Sequence, residues 1–326
     1  MTAGSPIEPL LLAFAWLQET VFEGVVLPVA SALGLSGYAE FLFDGTGWFL
    51  IGCVEIALLL LVIRPLEIWR PVERWTDRGA VRTDVLYTLI HRLGLVPLLI
   101  FFVLRLPIEA LDGWLRMQGF VPPNLEDIVP GLGASPLAAF FVYLLVLDLA
   151  EYWRHRLQHR FNWWWSLHAL HHSQREMTLW TDDRNHLLDD VIGKGWFAIV
   201  ALAIGVPPGQ FIALLVATRM IESLSHANVR MTFGAIGERL VVSPRYHRTH
   251  HAIGIGHEGR ARGCNFAQLF PLWDMLFGTA RFDRDYHPTG VRDQLDGRDY
   301  GDGFIRQQWL GVERLFGLDR SRPARG

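Results

Sequence analysis

The segment Ala134–His159, ASPLAAFFVYLLVLDLAEYWRHRLQH, joins an apolar run directly to a pair of histidines. The run itself, Ala134–Leu147, is a candidate membrane-embedded helix, although it is shorter than the ~20 residues of a full span. His155 and His159 follow Asp148 by seven and eleven residues, and these intervals place the three side chains on one face of a continuing helix. The pattern predicts a helix that leaves the membrane and carries metal-binding groups just beyond it.

Three histidine clusters have the spacing of a metal site. They are His155-x3-His159, His168-x2-His171-His172 and His247-x2-His250-His251. Residues at i, i+3 and i+4 share a helical face, so each cluster can direct its imidazoles at one point. Imidazole binds iron, zinc, copper and nickel, and zinc usually takes about four ligands. Eight histidines therefore predict a two-metal centre ligated almost wholly by histidine.

Three residues outside the clusters are further candidates for the site. His186 and His226 stand alone in the sequence, and a lone histidine is usually not a ligand. Asp148 is placed to accept a hydrogen bond from a ligand imidazole and to fix its tautomer. The alternative is that Asp148 is only a helix-end carboxylate at the membrane interface.

The composition favours an integral membrane protein. Of the 326 residues, 51% are hydrophobic and 19% are charged, against roughly 25% charged in soluble domains. The two cysteines, Cys53 and Cys264, are too few to predict a disulfide framework or a cysteine-ligated iron–sulfur cluster. A net charge of −3 gives no sign of a nucleic-acid partner.

Several apolar segments are candidate membrane helices, in total about four to six. They are Leu10–Leu35, Gly47–Ile63, Val85–Leu106, Ala134–Leu147, Val191–Ile204 and Gln210–Ile221. The last two flank a Pro207-Pro208 turn and predict a helical hairpin. The first contains Glu19 and Glu23, so it is a span, a re-entrant segment or an interfacial helix.

Arginine placement predicts the orientation. The connection 64–82 contains five arginines, whereas the connection 107–133 contains only Arg116. The positive-inside rule therefore puts the first connection and all three clusters on the cytoplasmic side. Trp163, Trp164 and Trp165 suit the membrane–water interface, with core packing as the alternative. The near-absence of lysine points to a bacterial inner membrane.

The clusters, in this order around a hairpin, resemble the fatty acid hydroxylase/sterol desaturase superfamily of integral-membrane di-iron oxidoreductases. The matching pieces are Asp148…Tyr152-Trp153-Arg154-His155-Arg156…His159, His168-Ala169-Leu170-His171-His172-Ser173, His226-Ala227-Asn228-Val229, Pro244-Arg245-Tyr246-His247-Arg248-Thr249-His250-His251 and Leu272-Trp273-Asp274…Leu276-Phe277-Gly278-Thr279. The resemblance implies an all-α, polytopic membrane bundle with a cytosolic helical cap that holds the metals. We expect membrane helices over 1–133, the catalytic region over 134–282 and a cytosolic tail over 283–326.

The resemblance also implies a site. Because the family carries further histidines between its second and third boxes, His186 and His226 become expected ligands, although Leu187 stands where family members often have proline. The expected metal ligands are His155, His159, His168, His171, His172, His186, His226, His247, His250 and His251. Asp148 and Asn228 are assigned catalytic roles.

The implied chemistry is hydroxylation or desaturation of a lipid with two iron ions and O2. No flavin, haem or iron–sulfur motif is present, so the electrons are expected from a ferredoxin or a cytochrome b5-like protein with its reductase. Five arginines near the clusters are candidates for docking this carrier or lipid headgroups. They are Arg154, Arg156, Arg160, Arg245 and Arg248.

Sterols, fatty acyl chains, sphingoid or ornithine-type lipids, ether lipids and carotenoids all fit as substrates. One rival function is a membrane zinc hydrolase, which is disfavoured because the chain lacks an H-E-x-x-H helix. The other rival is a metal-binding or metal-transport protein. Transport would place the ligands inside the spans, near the midplane, rather than beyond their ends.

Overall fold

The computed structural model of the protein describes residues 8–121, 123–205, 208–259 and 261–319. Regular structure in these ranges is helical, apart from one antiparallel bridge between Ala252 and Thr289. The α-helices are α1 Glu8–Val21, α2 Leu27–Ala32, α3 Ala39–Leu58, α4 Arg64–Trp69, α5 Arg78–Arg92, α6 Leu95–Met117, α7 Leu125–Ile128, α8 Pro136–Arg160, α9 Asn162–His172, α10 Leu187–Ile204, α11 Pro208–His226, α12 Gly234–Leu240, α13 Pro244–His250, α14 Leu272–Leu276 and α15 Phe304–Leu315. The predicted all-α architecture is confirmed.

Within the described residues, three continuous helices are long and apolar enough to cross a membrane. They are Pro9–Ala32, Ser36–Trp69 and Pro136–Arg160, which join α1–α2, α3–α4 and α8 with their π-helical or 3₁₀ turns. A fourth span is possible if α5 and α6 count as one broken helix, because they meet at a 52° bend. The break falls at Leu93-Gly94, where Gly94 has a φ of +94° that glycine adopts without steric cost.

The predicted segments lie within these helices. Leu10–Leu35 coincides with the first long helix, and Gly47–Ile63 lies inside the second. Val191–Ile204 and Gln210–Ile221 fall in α10 and α11, neither of which is among the candidate spans of the described chain. The predicted Pro-Pro turn between them lies partly outside the described residues.

Local sequence explains where two site-bearing helices begin. The Ser135 hydroxyl accepts a hydrogen bond from the Ala138 amide, and Pro136 occupies the first turn of α8. At the start of α13, the Ser243 hydroxyl accepts a hydrogen bond from the Tyr246 amide, and Pro244 occupies the first turn. A side-chain acceptor satisfies a free amide of the first turn, and proline needs none there.

The C-terminal region differs from the expected tail. Residues 283–319 fold back on the histidine region, and α15 packs against α9 and α5. Leu310 is buried in this contact, and Phe304 packs on the Tyr87 ring with centroids 4.9 Å apart. The polar composition of this segment gave no sign of α15, a helix that packs one face against the core.

Candidate metal centre

Nine of the ten predicted ligands come together in two neighbouring groups. The first group is His155, His159, His168, His172 and His250, and the second is His171, His226, His247 and His251. In each group the ligand atoms all lie within 4.8 Å of one another. Each of the nine residues is at most 6% exposed. Burial of so many imidazoles at one place is costly unless the rings share partners.

Alternate carbonyl groups of one short segment orient three rings of the first group. The Nδ1 atoms of His159, His250 and His155 donate to the carbonyls of residues 262, 264 and 266 at 3.2, 2.7 and 2.8 Å. A carbonyl can only accept, so the proton is fixed on Nδ1 and the Nε2 lone pair faces the centre of the group. This is the tautomer that a metal ligand needs.

A carboxylate orients a fourth ring. His168 Nδ1 donates to Asp189 Oδ2 at 3.1 Å. Asp189 is buried and also accepts from Gln158 Nε2 and from Trp164 Nε1, at 2.8 and 2.6 Å. Asp189 therefore has the role that the sequence had predicted for Asp148, that of a carboxylate that accepts a hydrogen bond from an imidazole. Its position one helical turn after His186, at the start of α10, was the signal available in the sequence.

The inner nitrogens of the first group fit a cation. His172 Nε2 lies 3.1 Å from His159 Nε2 and 3.3 Å from His168 Nε2, and both of those partners carry their proton on Nδ1. The buried Nε2 atoms of His155 and His250 have no hydrogen-bond partner. Converging lone pairs repel one another unless a metal ion accepts them, so this donor set fits an imidazole-binding metal.

The second group has the same character. Nε2 of His226 lies 3.1 Å from His171 Nε2 and 2.9 Å from His247 Nε2, and His251 Nε2 lies 3.1 Å from His247 Nε2. The His226 ring is oriented by its Nδ1, which donates to the Glu222 carbonyl at 2.8 Å. Four nitrogens therefore converge here, about the number that a tetrahedral imidazole site uses.

Burial keeps these rings neutral. Burial is the main cause that lowers the pKa of these rings, and repulsion between neighbouring imidazoles lowers it further. The pKa lies well below the usual range for His171, His172, His247 and His251. Burial also lowers the pKa of His250 to about 3. A neutral imidazole is the form that binds a metal, so the rings need lose no proton at neutral pH.

His186 is the tenth predicted ligand, and it lies elsewhere. Its Nε2 donates to the Gln308 carbonyl at 2.8 Å, and its Nδ1 accepts from the Leu188 amide at 3.2 Å. Both ring nitrogens are used, because His186 caps α10 and contacts α15. A histidine alone in the sequence carries no spacing that could distinguish a cap from a ligand.

Asp148 and Asn228 brace the backbone around the site. Asp148 accepts from the amides of Leu269 and Phe270 and from Trp273 Nε1, at 2.9–3.1 Å. The Asn228 amide accepts from the backbone at 72 and 73 and donates to the carbonyl of residue 73. These bonds show a structural use for each residue; an imidazole partner for Asp148 is not seen, because its oxygens already bind the 269–273 segment.

Asp274 explains the Leu-Trp-Asp motif near the end of the matching region. Its two carboxylate oxygens accept from the amides of Phe266 and Ala267, both at 2.9 Å. Its Oδ2 also accepts from the Tyr246 hydroxyl of α13 at 3.0 Å. The motif therefore holds the segment whose carbonyl at 266 orients His155.

The surroundings of the site differ from two expectations. Arg154, Arg245 and Arg248 form internal ion pairs with Glu151, Glu238 and Glu73, so much of the proposed docking charge is already paired. The three tryptophans have different surroundings. Trp163 is 47% exposed and Trp164 is buried. The Trp165 ring packs on the rings of His159 and His172. His257 also packs on the Trp165 ring, with centroids 5.3 Å apart.

Comparison with known proteins gives consistent relatives. The model of the fatty acid hydroxylase family matches residues 140–279. Human alkylglycerol monooxygenase is 26% identical over 215 residues, which is 55% of this chain and 46% of that protein. A Delta(7)-sterol 5(6)-desaturase of Gibberella zeae is 26% identical over 170 residues, covering 52% and 49%. Methylsterol monooxygenase 1-3 of Arabidopsis thaliana is 24% identical over 255 residues, covering 71% and 79%.

The chain spans about half the length of the first of these relatives. No solved structure matches it significantly. The matched region contains both histidine groups, the orienting carbonyl segment and the Leu-Trp-Asp motif. On these grounds residues 140–279, which contain both histidine groups, match the fatty acid hydroxylase family, and this match agrees with the resemblance of the sequence to the fatty acid hydroxylase/sterol desaturase superfamily.

Proposed function

We propose that this protein is a di-iron oxygenase that hydroxylates or desaturates a C–H bond of a membrane lipid, with O2 as co-substrate. The observation that carries the proposal is the pair of adjacent buried groups of five and four histidines. Two irons held there would supply the oxidising power for attack on an unactivated C–H bond. Several of the relatives are named as alkylglycerol monooxygenases, so alkylglycerol ether lipids are the first substrates to test.

The chain's own residues have defined tasks in this proposal. The carbonyls at 262, 264 and 266, together with Asp189, hold four imidazoles with Nε2 directed inward. Buried packing around the rings excludes bulk water, which protects the oxidising chemistry from side reactions. We place the site on the cytoplasmic side of a bacterial inner membrane, as the arginine distribution predicts.

The electrons are proposed to come from a separate ferredoxin or cytochrome b5-like protein with its reductase. Of the predicted docking arginines, Arg160 is exposed, and Arg156 donates to the Tyr152 hydroxyl and lies over the Trp153 ring. Arg160 is therefore the best remaining contact for an acidic carrier. The catalytic region over 134–282 is proposed to act together with the membrane helices before it.

The test is activity and metal content of the full chain in nanodiscs. Elemental analysis should find about two irons per chain, and alkylglycerol turnover should require both O2 and a reductant. Incorporation of 18O into the product distinguishes hydroxylation from desaturation. Hydrolysis of a lipid that continues without O2, with zinc retained, would contradict the proposal and support the hydrolase alternative.

A further inference from the structure

Helix α15 has two faces of different chemistry. Gln307, Leu310, Gly311 and Arg314 are buried. On the opposite side, large apolar side chains face outward: Ile305, Trp309 and Phe316 are 76%, 62% and 69% exposed. With the half-buried Val312 they follow at intervals of four, three and four residues, which makes one continuous stripe along the helix.

The inner face is firmly attached, so the stripe cannot turn inward. A Cβ at Gly311 would lie 2.2 Å from the His186 ring, and the helix approaches that closely because glycine has none. The Gln308 side chain donates to the Tyr87 hydroxyl at 2.9 Å, and Arg314 Nε donates to the Ser166 carbonyl at 3.1 Å. These contacts fix α15 to α5, α9 and the start of α10.

The composition and position of the stripe indicate what covers it. A stripe of isoleucine, tryptophan and phenylalanine is typical of a helix in the membrane interface. The sequence after the helix, residues 320–326, contains three arginines and no acid, a composition that favours lipid phosphates. Phe304 packs on Tyr87 of α5, and α5 continues through the bend into the candidate span with α6. Phe161 and Trp163, at the start of the neighbouring α9, are also half-exposed.

We propose that the outer face of α15, formed by Ile305, Trp309, Val312 and Phe316, lies in the lipid headgroup region of the bilayer. Because the inner face of the same helix contacts α9, which carries His168, His171 and His172, this contact fixes how the metal region sits on the membrane. The surface is separate from the histidine groups and requires no assumption about the reaction.

The test uses a fluorophore on single cysteines of the full chain, in nanodiscs of phosphatidylcholine with a minority of phosphatidylglycerol. Cys53 and Cys264 are replaced by serine, and the label is placed through Trp309→Cys or Ile305→Cys. Arg284→Cys, at an exposed position in the polar segment after the matching region, is the matched control. Quenching by iodide reports water, and quenching by nitroxide-labelled lipid reports the bilayer. The circular dichroism spectrum and unfolding midpoint of each variant verify the fold.

We expect iodide quenching at 305 and 309 to be about fivefold weaker than at 284, with strong quenching by the labelled lipid. Equal iodide quenching at all three positions would overturn the proposal. Discs that hold one chain each test the competing occupant, because protection at 309 that needs a second copy would assign the stripe to self-association and also overturn it. Neither readout depends on iron, O2 or turnover, so failure here is distinct from failure of the proposed oxygenase.

Discussion

The rings of His172 and His251 stack face to face, with centroids 4.4 Å apart and planes 23° from parallel. One ring belongs to the five-histidine group and the other to the four-histidine group. Their contact joins the two groups into one buried centre. The two residues come from α9 and from the end of α13, almost eighty positions apart in the sequence, so only the fold brings them together.

This contact predicts that neither group is independent of the other. We expect His172→Ala to abolish activity, by about 100-fold or more, and to lower the iron content of the purified chain. His186→Ala is the control, because His186 caps α10 and uses both ring nitrogens on backbone groups. Equal loss of iron in both variants, measured by elemental analysis, would mean that His186 is a ligand after all.

Asp189 is predicted to increase the metal affinity of the first group. Asp189→Asn weakens the acceptor that orients His168 and leaves the Trp164 bond less favourable, so we expect metal affinity to fall by about 10–100-fold. Competition with a chelator measures that affinity. Asp190→Asn is the matched neighbour, because Asp190 binds His91 instead. An unchanged metal affinity in the Asp189 variant would show that this carboxylate does not contribute to the site.

Gly256 is predicted to be required for steric reasons. A Cβ there would lie 1.7 Å from the carbonyl oxygen of His250, so Gly256→Ala must displace the backbone that carries a histidine of the first group. We expect loss of metal and destabilisation by about 3 kcal/mol or more. Gly259→Ala in the same loop meets no atom within 4 Å but has a φ of +78°, and should cost about 1 kcal/mol. Unfolding midpoints and iron content compare the two, and similar losses would contradict the steric argument.

A buried ion cluster beside the second group gives the last prediction. Arg92, whose side chain is fully buried, pairs with Glu55, Asp182 and Asp183 at 2.9–3.2 Å. Asp182 also lies 3.5 Å from Nδ1 of His226, a member of the second group. Arg92→Met removes the ion-pair partner of Asp183 and one of the partners of Glu55 and of Asp182, so the free energy of unfolding should fall by about 3–5 kcal/mol.

The control for this variant is Arg116→Met, which breaks an exposed pair with Asp112. Exposed pairs contribute little, so its unfolding midpoint in detergent should not change measurably. If Arg92→Met unfolds at the same midpoint as the Arg116 variant, the cluster does not stabilise the fold. Retention of full metal content by Arg92→Met would show that Asp182 does not support His226.

The sequence by itself determined the long apolar helices and most of the buried histidine groups. The four-residue spacings correctly put His155 with His159, and His247 with His251, because the α-helix repeats every 3.6 residues; His250, three residues after His247, lies in the other group. In the structure, Ser135-Pro136 and Ser243-Pro244 begin α8 and α13 through equally local contacts. Long apolar runs required burial in lipid or in the core, whatever the tertiary arrangement.

Only the tertiary structure decided which lone histidines join the buried histidine groups. His226 joins a group and His186 does not, although both stand alone in the sequence, because α11 ends beside α13 whereas α10 begins beneath α15. The orienting carbonyls at 262, 264 and 266 left no trace in residue identity, since every residue carries a carbonyl. Asp189 rather than Asp148 orients an imidazole for the same reason: the partner of a carboxylate is set by the chain packed against it, which local periodicity does not specify.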